Sequence, residues 1–102
     1  MANLMTTDQA REAMKKITGW QLHQSNKMIY RDYVTKNFVA AVDFINRIMK
    51  VAEEENHHPD IHLTGYRRLR IELMTHDAGG LTENDFKEAG RINALPVELK
   101  AS

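Results

Sequence analysis

One apolar repeat constrains the fold of this chain more than any other feature. Between about Lys36 and Glu54, apolar residues recur at three-and-four spacing, which predicts a long helix that covers one face of a sheet. Pro59 marks the break after this helix. The members of the repeat are Phe38, Ala41, Val42, Ile45, Ile48, Met49 and Ala52.

Segments of alternating character on both sides of the long helix predict two pairs of strands. Ser25-Asn26-Lys27 suits a short turn within the first pair, and Gly65-Tyr66 suits the turn within the second pair. The alternation predicts strands at 20–24, 28–34, 61–64 and 67–75.

A helix is predicted at each end of the chain. The first spans 7–18, is capped by Thr7, and ends at Gly19. The last begins at Thr82, with Asp85 three positions on as its capping partner.

The order α-β-β-α-β-β-α predicts the α+β class: a four-stranded antiparallel sheet with three helices packed on one face. Because the chain has 102 residues and no visible linker, we expect one domain over 1–102. The sheet face without helices is expected to meet solvent or another subunit.

Composition narrows the possible functions. The absence of cysteine excludes disulfides, thiolate metal ligands and cysteine nucleophiles. Fourteen basic residues balance fourteen acidic ones, which argues against binding to nucleic acid or to a membrane surface. The apolar runs are too short to span a bilayer, and the first residues lack the pattern of a secretion signal. We therefore expect a cytoplasmic location.

The segment EEENHHPDIH, residues 53–62, carries the most distinctive chemistry in the chain. His57 and His58 follow the long helix, and His76 follows the last predicted strand. If the last two strands pair, the three imidazoles converge on one pocket. Imidazole titrates near neutral pH, so this cluster suits general acid–base catalysis. Glu53, four residues before His57, could orient its ring.

Other interpretations of these residues remain open at this point. The adjacent histidines could be ordinary loop residues, and Asp85 could be only a capping carboxylate. A zinc site is a third interpretation, which the absence of cysteine and of an HExxH pattern disfavours.

The motifs ENHHPD and THDAGGLTENDF, with Tyr66 between them, resemble those of the pterin-4a-carbinolamine dehydratases. The likeness runs from Trp20 to about Ile92. It implies the same sheet and helices, and a lyase that converts 4a-hydroxy-tetrahydrobiopterin to quinonoid dihydropterin plus water. This reaction recycles the pterin cofactor of aromatic amino acid hydroxylases, and it implies no metal and no cofactor in the dehydratase itself.

The resemblance also implies a role for each site residue. His57 and His76 correspond to the acid/base pair, and His58 to a residue that positions the substrate. Glu53 and Asp85 support the histidines. Further residues implied to line the pterin slot are Asn56, Met74 and Thr75. The chain departs from the usual family pattern at Asn56 (often aspartate), Ile61 (often aromatic) and Asn84 (often arginine).

The resemblance implies partners as well. Family members are commonly homodimers or homotetramers, and an aromatic amino acid hydroxylase is a functional partner. The alternative function is that of a dimerisation cofactor, an adaptor that binds a transcription factor. In that case the helix at 36–54 would be the partner surface.

Overall fold

The structure is a computed structural model that describes residues 3–101. It confirms the predicted α+β class, the order of the elements and the antiparallel sheet. Its helices are α1 (Thr7–Met14), α2 (Phe38–Glu55) and α3 (Glu83–Asn93). Its strands are β1 (Gln21–Leu22), β2 (Ile29–Val34), β3 (Asp60–Thr64) and β4 (Arg68–Leu73).

The sheet has the order β1-β2-β4-β3, and every neighbouring pair is antiparallel. On β4, Leu69, Ile71 and Leu73 face the helices and are buried, whereas the alternate residues face outward. The outward face is polar: Arg70 makes two hydrogen bonds to Asp32 of β2. The core therefore lies entirely between the helices and one side of the sheet.

The long helix forms, but its buried face differs from the predicted one. Phe44 is fully buried although the predicted repeat omits it, whereas Phe38 and Met49 are 53% and 51% exposed. Val42 and Ile45 are half-buried. The prediction was right for Ala41, Ile48 and Ala52, which are buried, and wrong for Phe38 and Met49. Apolar residues extend around much of α2, so periodicity alone cannot tell which of them meet the sheet. Three residues on its outer side form what we call the outer stripe: Phe38, Val42 and Met49. Ile45 packs against the core instead.

The first helix is shorter than predicted, and its cap is Thr6 rather than Thr7. Thr6 accepts a hydrogen bond from the backbone N–H of Gln9, and the Gln9 side chain accepts one from the backbone N–H of Thr6. After Met14 the backbone N–H groups bond to carbonyls three residues earlier, so the helix tightens and ends before Gly19.

Two helix ends position the candidate site. At the end of α2, Asn56 adopts a left-handed conformation with φ 49°, which turns the chain sharply toward β3. At the start of α3, Thr82 and Asp85 form the predicted capping box. Over residues 3–101, every helix is too short or too polar to traverse a lipid bilayer.

Candidate active site

The three predicted histidines line one pocket of about 210 Å³. Its wall comes from the segment after α2 and the segment after β4, two loops that the antiparallel pairing of β3 with β4 brings to the same end of the sheet. The residues of the wall are Asn56, His57, His58, Thr75, His76 and Asp77. Their catalytic and binding roles stay predictions.

His57 is the most enclosed of the three histidines. Its side chain is 13% exposed, and Nε2 lies 2.6 Å from Oδ1 of Asp85, whose side chain is fully buried. The other carboxylate oxygen of Asp85 accepts from the Thr75 hydroxyl and from the Thr82 backbone N–H, both at 2.9 Å. Thus Asp85 caps α3 and holds the His57 ring at once, so these two roles coexist.

His58 lies in more open surroundings. It pairs with Glu53, and the two side chains are 62% and 68% exposed. The predicted pairing of Glu53 with His57 differs from this arrangement, because the left-handed turn at Asn56 breaks the helical spacing before His57 is reached. Glu53 therefore acts on the neighbouring ring.

His76 is exposed and begins a single 3₁₀ turn, His76–Ala78. A backbone bridge between Thr75 and Gly80 closes this loop. Gly79 has φ 73°, a conformation in which residues other than glycine are strained. Met74, predicted to line the slot, is half-buried and lies outside the pocket wall.

Sequence analysis missed one carboxylate near this network, Glu88. Its side chain is fully buried, and both carboxylate oxygens lack a hydrogen-bond partner within residues 3–101. Burial raises the pKa of Glu88 to about 7, although the charge of His57 lowers it. The spacing along α3 could have indicated its burial. Glu88 lies one turn after Asp85, on the inward side of the helix that also carries Ala89 and Ile92.

The carboxylates behind the pocket have different partners. Glu55, at the end of α2, accepts a hydrogen bond from Arg91, which lowers the pKa of that carboxyl, and it also contacts Lys87. Glu54 pairs with the same guanidinium. In the described part of the chain, no group of three or more histidine, aspartate or glutamate residues is arranged to hold a metal ion.

Comparisons with known proteins confirm the family resemblance. The sequence model of the family described as pterin 4 alpha carbinolamine dehydratase matches residues 3–95. The chain is 44% identical over 96 residues to "Pterin-4-alpha-carbinolamine dehydratase 2, mitochondrial" from Arabidopsis thaliana, covering 92% of this chain and 51% of that protein. It is 42% identical to a Halorhodospira halophila protein named as a putative pterin-4-alpha-carbinolamine dehydratase, covering 89% of this chain and 83% of that one.

A solved structure from Brucella melitensis, described as a transcriptional coactivator/pterin dehydratase, has the same fold with a TM-score of 0.84. It is 34% identical to this chain, and the alignment covers 90% of this chain and 97% of the other. The chain thus spans about half the length of the Arabidopsis relative and nearly the whole length of the Brucella one.

Proposed function

This chain belongs to the pterin 4 alpha carbinolamine dehydratase family, and from this premise we propose that it dehydrates 4a-hydroxy-tetrahydrobiopterin to quinonoid dihydropterin. Its role would be to recycle the pterin cofactor used by aromatic amino acid hydroxylases. One observation carries the proposal: three imidazoles line a single small pocket, and one of them is bonded to a fully buried carboxylate.

The chemistry requires two proton movements. The bond between C4a and the hydroxyl oxygen breaks, and the oxygen must gain a proton because hydroxide is a poor leaving group. N5 loses its proton, and its electron pair forms the new double bond between C4a and N5. One acid and one base are therefore sufficient, and we assign these roles to His57 and His76.

Asp85 prepares His57 for this task. With Nε2 donating to the carboxylate, Nδ1 is the ring nitrogen left to exchange a proton. Asp85 also stabilises the imidazolium form when His57 holds the extra proton. His58, more exposed and oriented by Glu53, is proposed to position the ring of the pterin, together with Asn56 and Thr75.

A direct assay tests the proposal. Chemically generated 4a-hydroxy-tetrahydropterin is followed spectroscopically with and without the protein, and we expect the protein to accelerate loss of water. His76→Ala should lower kcat by about ten- to a thousand-fold, the usual worth of one acid–base group. His62→Ala is the matched control, because His62 lies on the outward face of β3 and pairs with Glu72. Equal rates with and without protein would refute the proposal.

The outer stripe of α2 supports a second proposal, that the chain self-associates as a homodimer or homotetramer. Its residues form one apolar line along the helix, and Phe38 and Met49 are both more than half exposed. Phe38→Ser with Met49→Ser should reduce the assembly to a smaller species in light scattering. Asn46→Ser, an exposed polar change on the same helix, is the control. An unchanged mass for the double variant would contradict this assignment.

The same surface bears on the alternative function as an adaptor, and the Brucella relative is described as a coactivator as well as a dehydratase. An adaptor would lose function only when the outer stripe is changed. An enzyme would lose its dehydratase rate in His76→Ala while its assembly state stayed the same. These two variants therefore separate the two functions.

A further inference from the structure

Glu88 is a buried carboxyl that the proposed chemistry does not use. It lies in the interior with both oxygens unpaired among residues 3–101. Burying an unpaired carboxylate is costly, and buried polar groups without partners are uncommon. An apolar side chain would fill this position of α3 without that cost. Glu88 nevertheless occupies this position, three residues from Asp85 of the histidine site.

Glu88 lies one helical turn from Asp85, the partner of His57. Asp85 and Glu88 are three residues apart on α3, so they share one side of the helix. Asp85 holds the ring of His57 at 2.6 Å. α2 packs against α3, and the charges of His57 and His58, in the loop after α2, act on the carboxyl of Glu88.

Four charged or titratable groups act on the carboxyl of Glu88, from α3, from the end of α2 and from the loop after α2. They are Asp85 from α3, Glu55 from the end of α2, and His57 and His58 from the following loop. Arg91 and Lys87 pair with Glu55 and so offset its charge. The imidazole of His57 is thus the main group whose positive charge stabilises ionised Glu88.

Because burial raises the pKa of Glu88 to about 7, this carboxyl changes charge near neutral pH. When Glu88 is ionised, a second carboxylate besides Asp85 acts on His57. A second negative charge close to an imidazole favours its protonated form. Ionisation of Glu88 therefore changes the charge around the ring of His57.

We infer that Glu88 is a positioning residue of the site, which acts through the His57–Asp85 pair and controls how readily His57 holds a proton. The effect of Glu88 on catalysis rests on the proposed dehydratase function. The effect of Glu88 on the His57 ring is independent of that function, because it arises from charge alone.

The primary test is an NMR titration of the His57 ring in the wild-type protein and in Glu88→Gln and Glu88→Leu. Both variants keep the bulk of the side chain and remove its charge. We expect His57 to lose its proton at a pH lower by about half a unit or more in both variants. Glu83→Gln is the control, since Glu83 is an exposed carboxylate on the same helix, and it should leave the titration unchanged. Superimposable His57 curves in wild type and both variants would overturn the inference.

A pH profile of kcat/KM is the second readout. If the protein is a dehydratase, the limb of the profile assigned to His57 should move with its titration in Glu88→Gln and Glu88→Leu. A Leu variant that is more stable but keeps the wild-type profile would show that Glu88 is only a buried charge, and would overturn the positioning role. Lack of turnover in every protein would contradict the proposed function, while the NMR titration would still decide the role of Glu88.

Discussion

His57 and His58 are neighbours in the chain, and each pairs with a carboxylate, yet the two pairs have very different surroundings. The side chains of His57 and Asp85 are 13% and 0% exposed, whereas those of His58 and Glu53 are 62% and 68% exposed. Exposed ion pairs are worth about 0–1 kcal/mol, but removal of one partner from a buried pair costs about 3–5 kcal/mol. A histidine–carboxylate pair therefore stabilises the fold in one case and only orients a ring in the other.

The number of contacts made by each carboxylate sharpens this contrast. Asp85 receives hydrogen bonds from His57, from the Thr75 hydroxyl and from the Thr82 backbone. Glu53 contacts His58 from the exposed end of α2. Substitutions in the interior pair should therefore cost more stability than substitutions in the surface pair.

Replacing Asp85 should have the largest effect. Asp85→Ala should lower the free energy of unfolding by about 3–5 kcal/mol, because His57, Thr75 and Thr82 all lose their partner. Urea denaturation measures the change. Asp85→Asn, which can still accept at the cap, should lose less. A loss below about 1 kcal/mol in Asp85→Ala would place this pair in the same class as an exposed one.

The two histidines should differ in catalysis. His57→Ala should lower kcat by about ten- to a thousand-fold, because it removes one acid–base group. His58→Ala should act mainly on KM, because this residue is proposed to position the substrate. Steady-state kinetics of both variants, with His62→Ala as control, measure the split. A protein lacking both His57 and His76 that remains as active as wild type would refute the assignment.

Glu88 predicts how stability depends on pH. Its ordinary pKa is 4.5 and its pKa in the folded protein is about 7, so the folded state keeps a proton that the unfolded state has lost between these values. Its contribution to stability is therefore fully present below about pH 4.5 and is lost as the pH rises through 7, a change of about 3 kcal/mol.

The free energy of unfolding, measured by denaturation at several pH values from 5 to 8, checks this pH dependence. Glu88→Leu should flatten the decline and should be more stable than wild type at pH 8. A decline of unchanged slope in Glu88→Leu would show that another group causes it.

Removal of the surface carboxylate should have a small effect. Glu53→Gln should change the free energy of unfolding by less than about 1 kcal/mol, because water already screens the pair with His58. Thermal denaturation at low and high salt measures it. A loss as large as that of Asp85→Ala would remove the distinction between the two pairs.

Removal of metal ions by a chelator should leave the dehydratase rate unchanged. Proton transfer by imidazoles needs no Lewis acid, so the dehydratase rate should be the same before and after dialysis against EDTA. A rate that falls with EDTA and returns with zinc would mean that a metal ion takes part in catalysis, and would contradict the assignment of both proton transfers to imidazoles.

Local signals in the sequence predicted most of the fold. The capping box of Thr82 and Asp85 and the turn at Gly65-Tyr66 depend on neighbouring residues, and the structure contains both. The buried face of α2 was predicted only in part, because Phe44 and Phe38 are equally apolar. Only the sheet decides which of them is covered.

The candidate site was predictable only in part, for geometric reasons. The approach of His57 and His76 follows from the pairing of β3 with β4, which the alternation of residues indicated. The pairing of Glu53 with His58 could not be predicted in this way, because the left-handed residue Asn56 changes the direction of the chain. Glu88 was missed because a glutamate in a helix is usually exposed, and its burial depends on the packing of α2 against α3.

The conformation of Asn56 limits what can replace it. Position 56 both ends α2 and lines the pocket, and its φ of 49° suits glycine, asparagine and aspartate better than other residues. Any residue that replaces Asn56 must first adopt this left-handed backbone conformation. A randomised library should therefore return these three amino acids ahead of others, and asparagine is the one that combines the turn with a polar, uncharged side chain in the wall.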